Sequence, residues 1–247
     1  MMDYLLNRFV FCLASLLLLL QIVAAQPAPT QPAHAQPAEY LRDIKMELQK
    51  KWPGNRTINL VFHGHSVPAG YFRTPEVNTF DSYPFQLLRE LKRLYPYAVI
   101  NVIITSIGGE NSEQGPKRFK KEVLVHRPDV LFIDYALNDR KIGLQRSRRS
   151  MEKMIRIALR KKIKIVLLTP SADEKVPLLQ PDNELEQFAT QLTELAKKYD
   201  IALADSYSQF KRIEEQKKDI HEYMAQSNHP NREGHALIAG EILRYFR

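Results

Sequence analysis

Five short apolar runs, alternating with longer segments of helical periodicity, do most to narrow the folds open to this chain. They cover residues 58–62, 98–104, 130–133, 163–168 and 201–204. A strand covered on both faces reads as a continuous apolar run, because neither face can carry polar side chains. Between the runs, residues 82–95 place Phe85, Leu88, Leu91 and Tyr95 on one helical face, and residues 183–199 do the same with Leu185, Phe188, Leu192 and Leu195. The last segment, 231–246, carries Ala236, Ile238, Ala239, Ile242, Leu243 and Phe246 at similar spacing. This alternation predicts an α/β protein, a three-layer α/β/α sandwich on a mainly parallel five-stranded sheet.

The N-terminal part reads differently. An apolar segment centred on residues 16–20 is too short to span a membrane comfortably and closes with the small residues Ala24 and Ala25. That layout predicts a secretory signal, residues 1–25, and a secreted or periplasmic product; a retained anchor is the alternative. Residues 26–38, rich in Pro, Ala and Gln, read as an extended linker, which leaves 39–247 as one folded domain. Cys12 is the only cysteine and falls inside the signal, so the mature chain has neither a disulfide nor a thiol nucleophile.

The net charge is +8, and removing residues 1–25 leaves it unchanged because Arg8 and Asp3 cancel. A basic surface favours acidic partners. The densest basic run, 146–164, carries Met151, Met154, Ile155, Ala158 and Leu159 at helical spacing, so it reads as an amphipathic helix with a solvated basic face. No aromatic residue interleaves with these charges, which argues against a nucleic-acid surface.

Candidate chemistry lies just beyond the apolar runs. Gly64-His65-Ser66 ends the first run, Gly108-Gly109 follows the second, Asn138-Asp139 follows the third, and His229 precedes the last helix. In open α/β sheets, ligands collect at the carboxyl ends of the strands. The four segments offer a nucleophile, a backbone donor, an amide donor and a base. Taken singly, each has a plainer role: Ser66 or Asn138-Asp139 as a turn or helix cap, His229 as a helix entry before Pro230. His63 and His65 share a strand face, but no cysteine and no His-Glu-x-x-His pattern accompanies them, so no metal and no cofactor are expected. Tyr71, Phe72 and Tyr83 either line a sugar site or pack in the core.

In motif order and spacing, residues 58–247 resemble the SGNH hydrolases, the GDSL-type esterases and lipases. Gly64-His65-Ser66 is similar to the first family block, with His65 where an aspartate is usual. Ile107-Gly108-Gly109-Glu110-Asn111-Ser112 is similar to the second, Ala136-Leu137-Asn138-Asp139 to the third, and His229-Pro230-Asn231 with Gly234-His235 to the last. The resemblance implies a flavodoxin-like SGNH fold, Ser66 as nucleophile, His229 as base, and an oxyanion hole from Ser66 N–H, Gly109 N–H and the Asn138 amide. It also implies an esterase, and with the expected signal a secreted one, acting on short, acetyl-type esters of a carbohydrate. The basic charge favours an acidic carbohydrate, and no stable membrane association is expected once the signal is removed.

One position departs from the pattern. Three residues before the histidine the family usually has an aspartate, and this chain has Gln226. Three readings stay open. A backbone carbonyl orients His229, or Gln226 itself does so; an acid folds back from Glu222, Asp219 or Asp205; or the site is weak, leaving an SGNH-like glycan-binding protein.

Overall fold

The computed structural model describes residues 36–247, so the expected signal, 1–25, and linker residues 26–35 lie outside the described residues. The first elements of the described residues are a helical turn, α1 (Pro37–Tyr40), and helix α2 (Arg42–Gln49). Proline at the first helical position is preset for a helix, and Leu41, Ile44 and Leu48 bury the face that follows.

The chain then alternates strand and helix. Strand β1 (Thr57–Gly64) leads through α3 (Ser66–Ala69) and α4 (Tyr83–Leu94) to β2 (Val99–Ile104), and α5 (Gly115–Arg118) precedes β3 (Val130–Asp134). Helices α6 (Ala136–Asp139) and α7 (Leu144–Arg160) connect to β4 (Lys164–Leu168), and α8 (Glu184–Tyr199) connects to β5 (Ala202–Ala204). Helix α9 (Ser206–Glu215), a small hairpin of β6 (Met224–Gln226) and β7 (His229–Pro230), and α10 (Arg232–Leu243) complete it.

The five strands pair in parallel in the order β2-β1-β3-β4-β5. This is the doubly wound order in which the chain leaves β1 toward opposite edges, opening a crevice between the carboxyl ends of β1 and β3. Alternate side chains feed two cores. Ile58, Leu60, Phe62, Val130 and Phe132 pack with α2, α4 and α10 on one face, while Val61, Leu131, Ile133, Ile165 and Leu167 pack with α7 and α8 on the other. Across β1 and β3 the rings of Phe62 and Phe132 stack with centroids 4.3 Å apart. Such a pair contributes about 0.5–1.5 kcal/mol beyond its buried area. The three-layer α/β sandwich expected from the sequence is the observed fold.

Two details differ from the sequence reading. Strand β2 is the sheet edge and half exposed, although its run is as apolar as those of the inner strands. Helix α4 buries Tyr83, Leu87 and Leu91, and Phe85 and Leu88 lie outside that face. Adjacent Leu87 and Leu88 satisfy helical periodicity in either rotation. Tyr83 decides the outcome, because its hydroxyl donates to Asp134 Oδ2 (3.1 Å) and its ring meets Phe62.

The basic run forms most of α7 with Met151, Met154, Ile155 and Ala158 buried, and Arg148 and Arg156 pair with Glu194 and Glu152 on the surface.

Candidate active site

Ser66 stands at the end of the central strand, and the local packing there admits one residue type before it. A Cβ on Gly64 would sit 2.1 Å from the Asp134 backbone oxygen, so only glycine lets β1 approach β3 this closely. His65 then caps α3: its Nδ1 accepts from Val67 N (3.2 Å), which puts its proton on Nε2. That Nε2 lies 3.3 Å from Asp134 Oδ1 but makes no aligned hydrogen bond. His65 thus belongs to the loop around Ser66, with the carboxylate supplied by the neighbouring strand.

His229 is brought to Ser66 across the sequence. Its Nε2 lies 2.9 Å from Ser66 Oγ, and both residues are buried. Its Nδ1 lies 2.9 Å from the backbone oxygen of Phe72. A carbonyl can only accept, so Nδ1 carries the proton and Nε2 presents its lone pair to the serine hydroxyl. Burial is the largest influence on His229 and lowers its pKa; the Phe72 carbonyl raises it and His65 lowers it further. The imidazole is held neutral, in the tautomer a base needs.

Gln226 does not touch the His229 ring through a hydrogen bond, which corrects the reading of it as a direct orienting group. Its Oε1 accepts from Thr74 N (3.0 Å) and its Nε2 donates to Asn228 Oδ1 (3.3 Å). The candidate acids are engaged elsewhere. Asp205 caps α9 and accepts from Thr169 Oγ1, and Asp219 caps the turn at His221. Glu222 is exposed. With Nδ1 occupied by Phe72 O, the backbone-carbonyl reading is the one that matches the geometry.

Asn138 sits in α6 at the end of β3, buried, and its Nδ2 donates to the backbone oxygen of Glu110 (2.8 Å). That bond uses one amide hydrogen and leaves the second. Asp139 beside it is fully buried, accepts from Ser112 N (2.7 Å) and Ser147 Oγ (2.5 Å), and has its pKa raised chiefly by burial. The loop bearing Gly109 is therefore tied to α6 at two points. Gly109 has φ +80°, and no atom lies within 4 Å of where its Cβ would be, so its surroundings are open. The left-handed conformation favours glycine here.

Sequence reasoning missed what anchors this loop. Arg118 grips the Glu110 carboxylate through Nε at 3.1 and 3.0 Å and through Nη2 at 2.5 Å, and also donates to Thr105 O (2.5 Å). Tyr135 Oη joins Glu110 Oε2 (3.3 Å) to His63 Nε2 (3.1 Å). Burial pushes the His63 pKa down to about 3. The signal available was Glu110 in a glycine-rich loop with an arginine shortly downstream, which the sequence alone does not distinguish from a surface pair.

Of the three aromatic candidates, Phe72 and Tyr83 are buried, which for these two matches the core-packing alternative. Tyr71 is half-buried, its ring 6.1 Å from that of His229, and it packs on Gly108, where a Cβ would come 3.1 Å from the tyrosine ring. It forms a wall running from the base to the glycine loop.

Residues 62–237 match the sequence model of the GDSL-like lipase/acylhydrolase family. Among solved structures, a two-domain esterase (CEX) active on acetylated mannans superposes with a TM-score of 0.69 at 20% identity, over 84% of this chain and 52% of that one. The chain thus spans about half the length of that esterase. A catalytic mutant of Axe2, an acetylxylan esterase from Geobacillus stearothermophilus, gives a TM-score of 0.66 at 18% identity, over 76% of this chain and 94% of that one. At such identities the likeness establishes a shared fold. No curated protein sequence gives a significant match.

Proposed function

This chain belongs to the GDSL-like lipase/acylhydrolase family and with it to the SGNH hydrolases, and we propose that it is a secreted serine esterase removing acetyl-type groups from a carbohydrate. The observation that carries this reading is the position of His229, 2.9 Å from Ser66 Oγ on one side and 2.9 Å from Phe72 O on the other.

Ser66 Oγ attacks the ester carbonyl as His229 Nε2 takes its proton. Charge develops on the carbonyl oxygen, and the Ser66 N–H, the Gly109 N–H and the free Asn138 amide hydrogen receive it. Each such donor is worth about 10²–10³ in turnover. His229 returns the proton to the leaving alcohol, and water then repeats the sequence on the acyl-enzyme. Throughout, Nδ1–H stays on the Phe72 carbonyl.

Losing the acid of a Ser-His-Asp site costs on the order of 10⁴, partly through the wrong tautomer. The carbonyl removes the tautomer problem and leaves the imidazolium without a full counter-charge. The rival reading, a glycan-binding protein without turnover, drew on Gln226; the carbonyl on Nδ1 supports turnover instead.

The carbohydrate part rests on the similarity to esterases whose names specify acetylated mannans and acetylxylan, and the net charge of +8 favours a polymer carrying acidic groups. Secretion rests on the layout of residues 1–25. The test is hydrolysis of p-nitrophenyl acetate and acetyl release from acetylated xylan or mannan by the wild type, Ser66→Ala and His229→Ala. Turnover lost in both variants is expected. Binding of the polymer with no acetyl release would favour the rival.

A further inference from the structure

The loop after α3 folds back on itself, with Tyr71 bridged to Val77 and Phe72 N donating to Glu76 O (3.1 Å). Its inner side is fixed by Phe72, whose ring stacks on buried His235 with centroids 5.3 Å apart. Its outer side is fixed by the hairpin that carries His229. Thr74 N donates to Gln226 Oε1 (3.0 Å), and Arg73 Nε donates to Ala225 O (3.1 Å). Gln226 lies opposite His229 in the β6–β7 register, and its Nε2 reaches Asn228 (3.3 Å), the residue before the base.

We propose that Gln226 is a positioning residue: one amide fastens the loop bearing the Phe72 carbonyl to the hairpin bearing His229, and so sets the 2.9 Å contact that orients the imidazole. The position that holds a carboxylate in the family pattern here acts through the backbone. A carboxamide suits this task, because it accepts from one segment and donates to the other at once. The inference rests on the serine esterase reading and specifies how that site manages without a side-chain acid.

The groups facing His229 are Ser66, the Phe72 carbonyl, His65, the Tyr71 ring and, through the charge it would carry, buried His235 stacked on Phe72. The carbonyl raises the His229 pKa against burial and against His65. Loosening it therefore moves the acid limb of the pH–rate profile to lower pH, which a general loss of stability does not do.

The experiment measures kcat, KM, melting temperature and the pH profile for the wild type, Gln226→Ala, Gln226→Glu and Ser66→Ala on p-nitrophenyl acetate. One hydrogen bond of this kind corresponds to about a three- to tenfold fall in kcat. That fall is expected in Gln226→Ala, with KM unchanged and the acid limb displaced downward. Gln226→Glu keeps the acceptor for Thr74 N and is expected to recover most of the rate. Inactive Ser66→Ala beside a Gln226→Ala that matches the wild type in kcat and pH limb overturns this inference alone. A kcat that falls with the melting temperature, with no limb shift and no recovery in Gln226→Glu, also overturns it. Turnover surviving in Ser66→Ala, or absent from the wild type, overturns the esterase reading and this inference together.

Discussion

The backbone oxygen of Phe72 lies 2.9 Å from His229 Nδ1, where a side-chain acid holds the base in a Ser-His-Asp site. A carbonyl fixes tautomer and ring direction as well as a carboxylate does. It brings a dipole instead of a full charge, so the site depends more heavily on where that one oxygen sits.

The pH dependence follows. Burial holds the His229 pKa below the ordinary 6.5, despite the opposing Phe72 carbonyl. The base works when neutral, so kcat/KM is complete above the folded-state pKa and is lost as pH falls through it. The acid limb of a kcat/KM profile is expected to have its midpoint below 6.5. A midpoint above 7 would point to a carboxylate on the imidazole.

Asn138→Ala removes both the oxyanion amide and the bond to Glu110 O. Turnover is expected to fall about 10²–10³-fold with little change in KM, because the interaction strengthens as charge develops. Steady-state kinetics on a short-chain ester checks this. A fall confined to KM would place Asn138 in ground-state binding.

Much of this was legible beforehand, for physical reasons that differ by residue. Strands covered on both faces must be apolar throughout, so β1, β3 and β4 announce themselves, and Ser66 and Asn138 are marked by standing where those runs stop. His229 is marked by its motif before a helix. Phe72 is not legible, because its part is played by a backbone oxygen that every residue type possesses. Gln226 was visible only as a departure, since its partner Thr74 N–H is also a backbone group. The rotation of α4 was hidden because it turns on one buried hydrogen bond, Tyr83 to Asp134.

Gly64→Ala tests the strand crossing beneath the nucleophile. The added methyl would meet the Asp134 backbone oxygen at 2.1 Å, and neither strand can retreat from the sheet. Destabilisation of about 3 kcal/mol or more is expected in urea unfolding. A loss below about 1 kcal/mol would contradict the close approach of β1 to β3.

Stability carries its own pH signature. His63 and His235 are buried with pKa values pushed down to about 3, whereas the unfolded chain takes up these protons near 6.5. Between those limits the unfolded state binds more protons, so stability is present at neutral pH and is lost as pH falls below 6.5. Each residue contributes a slope of about 1.4 kcal/mol per pH unit. Urea midpoints at pH 7 and pH 5 are expected to differ clearly; equal midpoints would mean that both rings accept a proton in place.

The Tyr71 ring lies 6.1 Å from that of His229, the group that would return a proton to the leaving alcohol. Tyr71→Ala is expected to raise KM severalfold on an acetylated oligosaccharide while changing turnover of ethyl acetate little. Equal losses on both substrates would assign the ring to holding the loop instead.

The central claim, that His229 held by the Phe72 carbonyl activates Ser66, is tested most directly by reaction with a fluorophosphonate followed by peptide mass spectrometry. A single adduct on Ser66 in the wild type, absent in His229→Ala, is the predicted result. No adduct on Ser66, or labelling that persists undiminished in His229→Ala, would contradict it.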